Sequence, residues 1–143
     1  MMQEPPNRLR LLCVDDNEML ADALGRRFAH ESDLCWLGVV NQGVVAYARV
    51  MELRPDIVLL DIDMPDIDSF AVAEKLAADA PDVRVLMFSG HVSHDHIKRA
   101  IDSGVWGYLS KNDDIDSLID RIRQAGRGEF VFSKEVEAVQ RAS

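Results

Sequence analysis

Short apolar runs alternate with amphipathic segments along most of the chain. The apolar runs predict five strands, which lie at Leu9–Val14, Leu34–Val40, 57–60, 83–88 and Gly107–Ser110. Between them, apolar residues recur at helical spacing, which predicts helices at 18–30, 44–54, 69–80 and 93–102 and a fifth from Ile115 onward. Asn17 is the expected N-cap of the first helix. The ordered chain is therefore a series of βα units.

The strands are nearly continuous apolar runs, as in parallel sheets that helices cover on both faces. The predicted buried stripes are Leu20, Ala23, Leu24, Arg27 and Phe28 on the first helix, and Ile115, Leu118, Ile119 and Ile122 on the fifth. We predict an α/β fold of the flavodoxin-like, doubly wound (βα)5 type, with a five-stranded parallel sheet of order 2-1-3-4-5.

Polar side chains stand where four of these strands end. Asp15 and Asp16 follow the first strand, and Asp61 follows the third. Ser89 ends the fourth strand and Lys111 the fifth. The order 2-1-3-4-5 has its ligand crevice between strands 1 and 3, so these side chains should share one edge of the sheet. Each residue alone is an ordinary turn or surface residue, and the set of five is the signal.

This residue set suits a divalent cation and a phosphoryl group. Mg²⁺ takes oxygen ligands, so Asp16 and Asp61 fit direct ligation, with Asp15 acting directly or through water. Asp61 also fits the role of a nucleophile toward phosphorus. Lys111 would neutralise the charge that gathers during transfer, and the Ser89 hydroxyl would meet a phosphoryl oxygen.

Composition narrows the class of protein. The 143 residues suit one domain, and a net charge of −9 argues against direct binding of nucleic acid by this chain. No apolar stretch reaches membrane-spanning length, which predicts no membrane partner. Cys13 and Cys35 fall in predicted strands and are expected to be buried thiols in a reducing compartment. We therefore expect a cytoplasmic protein.

The chain divides into three parts by pattern. Residues 1–7 look like a disordered leader, and residues 8–128 form the domain. Residues 129–143 are expected to be a linker or a short C-terminal helix capped by Ser133, with no output domain present.

At the polar residues above, the chain resembles the receiver domain of bacterial two-component response regulators, over about residues 8 to 128. The resemblance rests on these motifs: Val14-Asp15-Asp16-Asn17, the run from Pro55 through Asp61 to Asp63-Met64-Pro65, Ser89, and Gly107-Tyr108-Leu109-Ser110-Lys111. The sequence around Lys111 and the segments 125–129 and 133–136 most resemble those of receivers that precede a LuxR-type helix-turn-helix.

The resemblance implies that a sensor histidine kinase phosphorylates Asp61. It also implies that Asp15, Asp16, Asp61 and the backbone carbonyl of Asp63 organise Mg²⁺. Ser89 and Lys111 would contact the new phosphoryl group. Such a domain catalyses its own phosphorylation and dephosphorylation and is not an enzyme on an outside substrate.

The implied output is a switch at the surface around residues 93–126. Tyr108 matches the aromatic residue that packs inward when the switch hydroxyl, here Ser89, moves. The added charge of roughly −1.5 to −2 would bias this surface between two states. The implied partners are the kinase and a downstream output domain or protein, with a homodimer left open.

Five positions depart from the family pattern. Ser69 and Gly90 replace the usual glycine and alanine, and Asn112 replaces a frequent proline. Without proline, a cis peptide before Asn112 would cost about 2.5–4 kcal/mol. Asp63 and His91 stand where the family tunes phosphoryl lifetime. None of these changes removes a reactive group.

Two other classes remain as alternatives. A phosphatase of the haloacid dehalogenase type would use Asp61 as nucleophile and Asp63 as acid and base, but that signature normally lies on the first strand. A phosphate-independent scaffold with a receiver-like fold would not need the complete set of reactive residues.

Overall fold

The computed structural model describes residues 8–142, so the predicted leader 1–7 and Ser143 lie outside the described residues. The strands are β1 Leu9–Val14, β2 Leu34–Val40, β3 Ile57–Asp61, β4 Arg84–Ser89, β5 Gly107–Ser110 and β6 Val131–Phe132. The helices are α1 Glu18–Phe28, α2 Ala46–Leu53, α3 Ser69–Asp79, α4 His94–Asp102, α5 Ile115–Gly126 and α6 Lys134–Arg141.

The sheet is parallel throughout, with the order β2-β1-β3-β4-β5-β6. The predicted flavodoxin-like order 2-1-3-4-5 is confirmed, and the sheet gains a sixth strand that was not predicted. Gly128, at φ +89°, turns the chain back after α5. The backbone N–H of Val131 then donates to the carbonyl of Trp106, which adds Val131–Phe132 to the edge beyond β5.

Helices cover both faces of the sheet, and the strands supply alternate residues to two apolar layers. In β3, Val58 and Leu60 face one layer while Ile57 and Leu59 face the other. The first layer is shared with α2, α3, α4 and α6, and the second with α1 and α5. All of β3 is buried, so its last residue, Asp61, is held by a rigid strand.

Local sequence explains most of the helix boundaries. The Asn17 side chain accepts from the N–H of Leu20, which confirms the predicted N-cap. The predicted stripe of α1 was partly wrong, because Ala23 is exposed and the buried face is Ala21, Leu24, Gly25 and Phe28. Gly25 lies against Trp36, so close that a Cβ there would clash, and it therefore belongs to the buried face. None of the described helices is long and apolar enough to cross a membrane.

Candidate phosphoryl and metal site

The carboxyl ends of the strands bring the predicted carboxylates and the lysine together. Oxygens of Asp15, Asp16 and Asp61 all lie within 4.8 Å of one another. The Lys111 Nζ lies 2.8 Å from Asp15 Oδ2 and 3.5 Å from Asp61 Oδ1. Asp15 and Asp61 are buried while Asp16 is exposed, so the cluster is open on the side of Asp16.

The electrostatics of this cluster favour a partner with positive charge. Burial raises the pKa of Asp61 to about 6, and the neighbouring Asp15 adds to the rise, while the N–H of Asp63 and the Lys111 charge oppose it. Burial acts to lower the pKa of Lys111, but its contacts with Asp15 and Asp61 outweigh burial and raise the pKa. Lys111 therefore stays charged, and a single ammonium faces three carboxyl groups.

The residues fit Mg²⁺ as a ligand set. Asp15 Oδ2 is buried and, apart from its contact with Lys111, accepts no hydrogen bond from the described residues. A carboxylate oxygen can accept more than one partner, so Asp15 Oδ2 can bind a cation in addition to Lys111. With Asp16 and Asp61 it offers the hard oxygen donors that Mg²⁺ prefers.

Backbone amides orient both buried carboxylates. The Asn17 N–H donates to Asp15 Oδ1 at 2.9 Å, and the Asp63 N–H donates to Asp61 Oδ1 at 3.0 Å. The Ser69 hydroxyl donates to the backbone carbonyl of Asp61 at 2.6 Å. Ser69 thus does more than replace a glycine, because it fixes the end of β3. No pattern in the sequence indicates this hydrogen bond between Ser69 and Asp61.

Ser89 and Tyr108 lie beside the cluster but are bonded elsewhere. The buried Ser89 Oγ is 3.1 Å from both Asp63 Oδ2 and the His91 carbonyl, and it accepts from the His91 N–H at 3.0 Å. Tyr108 is fully buried, and its hydroxyl donates to the same His91 carbonyl at 3.0 Å. Burial raises the pKa of Tyr108 to about 12, so the hydroxyl remains a donor.

Glu135 is a neighbour of this site that no sequence motif indicates. Its carboxylate accepts from the Ser110 hydroxyl at 3.1 Å and from Asn112 Nδ2 at 3.3 Å. These contacts join residues 25 and 23 positions apart, which no local pattern encodes. The described residues contain no cis peptide, so Asn112 follows a trans bond.

Comparison with known proteins places the chain in a family. Residues 11–123 match the family described as the response regulator receiver domain. The chain belongs to this family, as the sequence motifs predicted, and is a response regulator receiver domain of a two-component system.

Individual relatives agree with this assignment. The response regulator protein VraR of Staphylococcus aureus is 33% identical over 128 residues, which cover 90% of this chain. The chain spans 61% of the length of that curated relative. Family membership sets aside the phosphatase alternative, as does the place of Asp61 on the third strand of the chain.

Solved structures show the same fold. A LuxR-family response regulator from Aurantimonas sp. SI85-9A1 has a TM-score of 0.86 at 22% identity, covering 95% of this chain and 99% of that one. The isolated REC domain of RcsB from Salmonella enterica serovar Typhimurium, solved in the presence of phosphomimetic BeF3-, has a TM-score of 0.84 at 12% identity, with coverage of 93% and 99%.

Proposed function

We propose that Asp61 accepts a phosphoryl group from a sensor histidine kinase and that the modified domain signals to an output domain or protein. The observation that carries this proposal is the buried Asp61 carboxylate beside Lys111, at the open cluster with Asp15 and Asp16. This arrangement provides a nucleophile, a fixed positive charge and an oxygen-rich site at one point.

Asp61 is suited to attack phosphorus. With a pKa of about 6 it is mainly ionised near neutral pH, and the Asp63 N–H holds one oxygen in place. An Asp61 oxygen forms the new bond to phosphorus while the bond from phosphorus to the kinase histidine breaks, and the imidazole leaves with the electron pair. Water later attacks phosphorus, and the Asp61 carboxylate leaves in turn.

The other residues would bind the cation and neutralise the negative charge of the phosphoryl group. Asp15, Asp16, Asp61 and the backbone carbonyl of Asp63 are the groups that would hold Mg²⁺, which when bound supplies positive charge to the phosphoryl oxygens. Lys111 already contacts Asp61 and would neutralise negative charge on the phosphoryl group.

Ser89 is the proposed switch residue. Its hydroxyl now faces Asp63 and the His91 carbonyl, and it would exchange these contacts for a phosphoryl oxygen. Tyr108 shares the His91 carbonyl, so movement of the Ser89 loop would alter the packing around Tyr108. We place the protein in the cytoplasm, where its kinase would reach it, without a direct role in nucleic-acid binding.

The test is intact mass after incubation with acetyl phosphate and Mg²⁺. We expect one phosphoryl adduct on the natural chain, none on Asp61→Asn, and one on the matched control Asp82→Asn, which changes an exposed aspartate in the loop before β4. The adduct should also vanish when EDTA removes Mg²⁺. An unmodified natural chain would contradict self-catalysed phosphorylation and favour the scaffold alternative.

A further inference from the structure

The C-terminal helix α6 covers part of the domain's own surface. It packs against β5 and α4, and Val136 is fully buried in the same apolar layer as Tyr108 and Ile97. The backbone N–H of Ser133 donates to the Tyr108 carbonyl at 3.1 Å, which joins the start of α6 to β5. The helix therefore lies on the elements next to the phosphosite.

Three side chains, which we call the Glu135 bridge, tie the start of α6 to the loop after β5. Ser110 Oγ and Asn112 Nδ2 both donate to the Glu135 carboxylate, at 3.1 and 3.3 Å. These two residues flank Lys111, whose ammonium contacts Asp15 and Asp61. The bridge is thus one residue away, on each side, from the cation of the site.

Asn112 extends the bridge to the loop that follows Ser89. Its Nδ2 also donates to the backbone carbonyl of Gly90 at 3.1 Å, and Gly90 directly follows Ser89. One amide group therefore joins the Ser89 loop to Glu135. A proline in place of Asn112 would offer no such donor, so this link depends on a departure of this chain from the family pattern.

We propose that phosphorylation of Asp61 loosens α6 through the Glu135 bridge, an inference that rests on the proposed function. When Ser89 and Lys111 turn toward a phosphoryl group, the Gly90 carbonyl and the Asn112 amide lose their alignment. A hydrogen bond near 3.3 Å tolerates little further separation.

The short length of α6 makes its release measurable. It has eight residues, and a helix this short is not stable in water without tertiary contacts. An α6 that leaves the surface should also unfold. Hydrogen exchange of its amides therefore reports docking directly.

The experiment measures hydrogen exchange of residues 134–141 by mass spectrometry, with and without acetyl phosphate and Mg²⁺, and intact mass on the same samples. We expect phosphorylation to speed exchange in α6 by roughly five- to tenfold, as for the loss of about one net hydrogen bond. An adduct without faster exchange in α6 would overturn the inference and leave the proposed function standing. Absence of any adduct would overturn the proposed function and the inference together.

Variants separate the docking of α6 from its response to phosphorylation. Glu135→Ala should speed exchange in α6 before any phosphodonor is added. Asn112→Ala keeps the Ser110 contact to Glu135 but loses the link to Gly90, so exchange should respond much less to phosphorylation. The matched control Glu137→Ala changes another residue of α6, removes its ion pair with Arg121 of α5, and should keep the full response. A full response in Asn112→Ala would overturn the role of the bridge.

Discussion

At the carboxyl edge of the sheet, Asp15 and Asp61 are buried beside a single lysine, whereas charges at the opposite edge are closely paired. There, Arg123 lies 2.8 Å from Asp33 and 2.7 Å from Glu31. Its hydrogen bonds, first to Asp33 and then to Glu31, raise the pKa of the guanidinium. By contrast, burial raises the pKa of Asp61, which means that the fold disfavours the charged form.

The difference indicates what each edge does. At the amino edge of the sheet, where Arg123 lies, its ion pairs with Glu31 and Asp33 join α5 to the loop before β2. At the carboxyl edge, carboxylates buried beside one ammonium reduce the stability of the fold and favour the binding of a cation. Active sites commonly show this exchange of stability for function.

The largest expected effect comes from removing the cation of the carboxyl edge. Lys111→Met should slow phosphorylation by acetyl phosphate by about 100-fold, because the charge that would stabilise the transferring group is lost. Arg123→Met, the same substitution type at the amino edge, should leave the rate unchanged. Rates from time courses of intact mass check this, and equal rates for both variants would contradict the assignment of roles to the two edges.

Next in size is a pH-dependent gain of stability in Asp61→Asn. Because the folded-state pKa of Asp61 is raised from 3.8 to about 6, the folded protein binds this proton more tightly than the unfolded chain does. The natural chain should therefore lose stability as pH rises through this range, and the variant should not. Above it, the variant should be more stable by on the order of 3 kcal/mol.

Urea unfolding in EDTA at several pH values between about 4 and 7.5 measures this difference. Asp82→Asn serves as the control, since Asp82 is exposed. A constant difference between Asp61→Asn and the natural chain at all pH values would show that burial does not raise the Asp61 pKa.

A smaller effect is expected at Ser69, which anchors the end of β3. Ser69→Ala removes the 2.6 Å hydrogen bond to the Asp61 carbonyl and should cost about 1–2 kcal/mol of unfolding free energy. The exposed Ser32 provides the control Ser32→Ala, which should change stability by less than about 0.5 kcal/mol. Equal unfolding midpoints for the two variants would show that the bond is not stabilising.

The smallest effect is expected at the amino edge itself. Arg123→Met breaks a partly exposed network and should lower the unfolding free energy by about 0.5–1 kcal/mol. Added salt should reduce the difference from the natural chain, because screening weakens exposed pairs. A loss that salt does not change would point to packing of the arginine side chain instead.

The sequence predicted the core of this architecture because its signals are local. Continuous apolar strands ending in Asp15, Asp61, Ser89 and Lys111 predicted both the parallel sheet and the meeting of polar groups at one edge. The sixth strand was missed because Val131–Phe132 is only two residues long and is held by pairing with β5. The contact of Glu135 with Asn112 was missed because it exists only once α6 is docked.

The most direct test of the central claim is to locate the phosphoryl group. After acetyl phosphate and Mg²⁺, borohydride reduces an acyl phosphate to an alcohol, which converts the modified aspartate to homoserine. Peptide sequencing by mass spectrometry then identifies the residue. We predict homoserine at position 61 alone. Homoserine at Asp15, Asp16 or Asp63 with none at Asp61 would contradict the account.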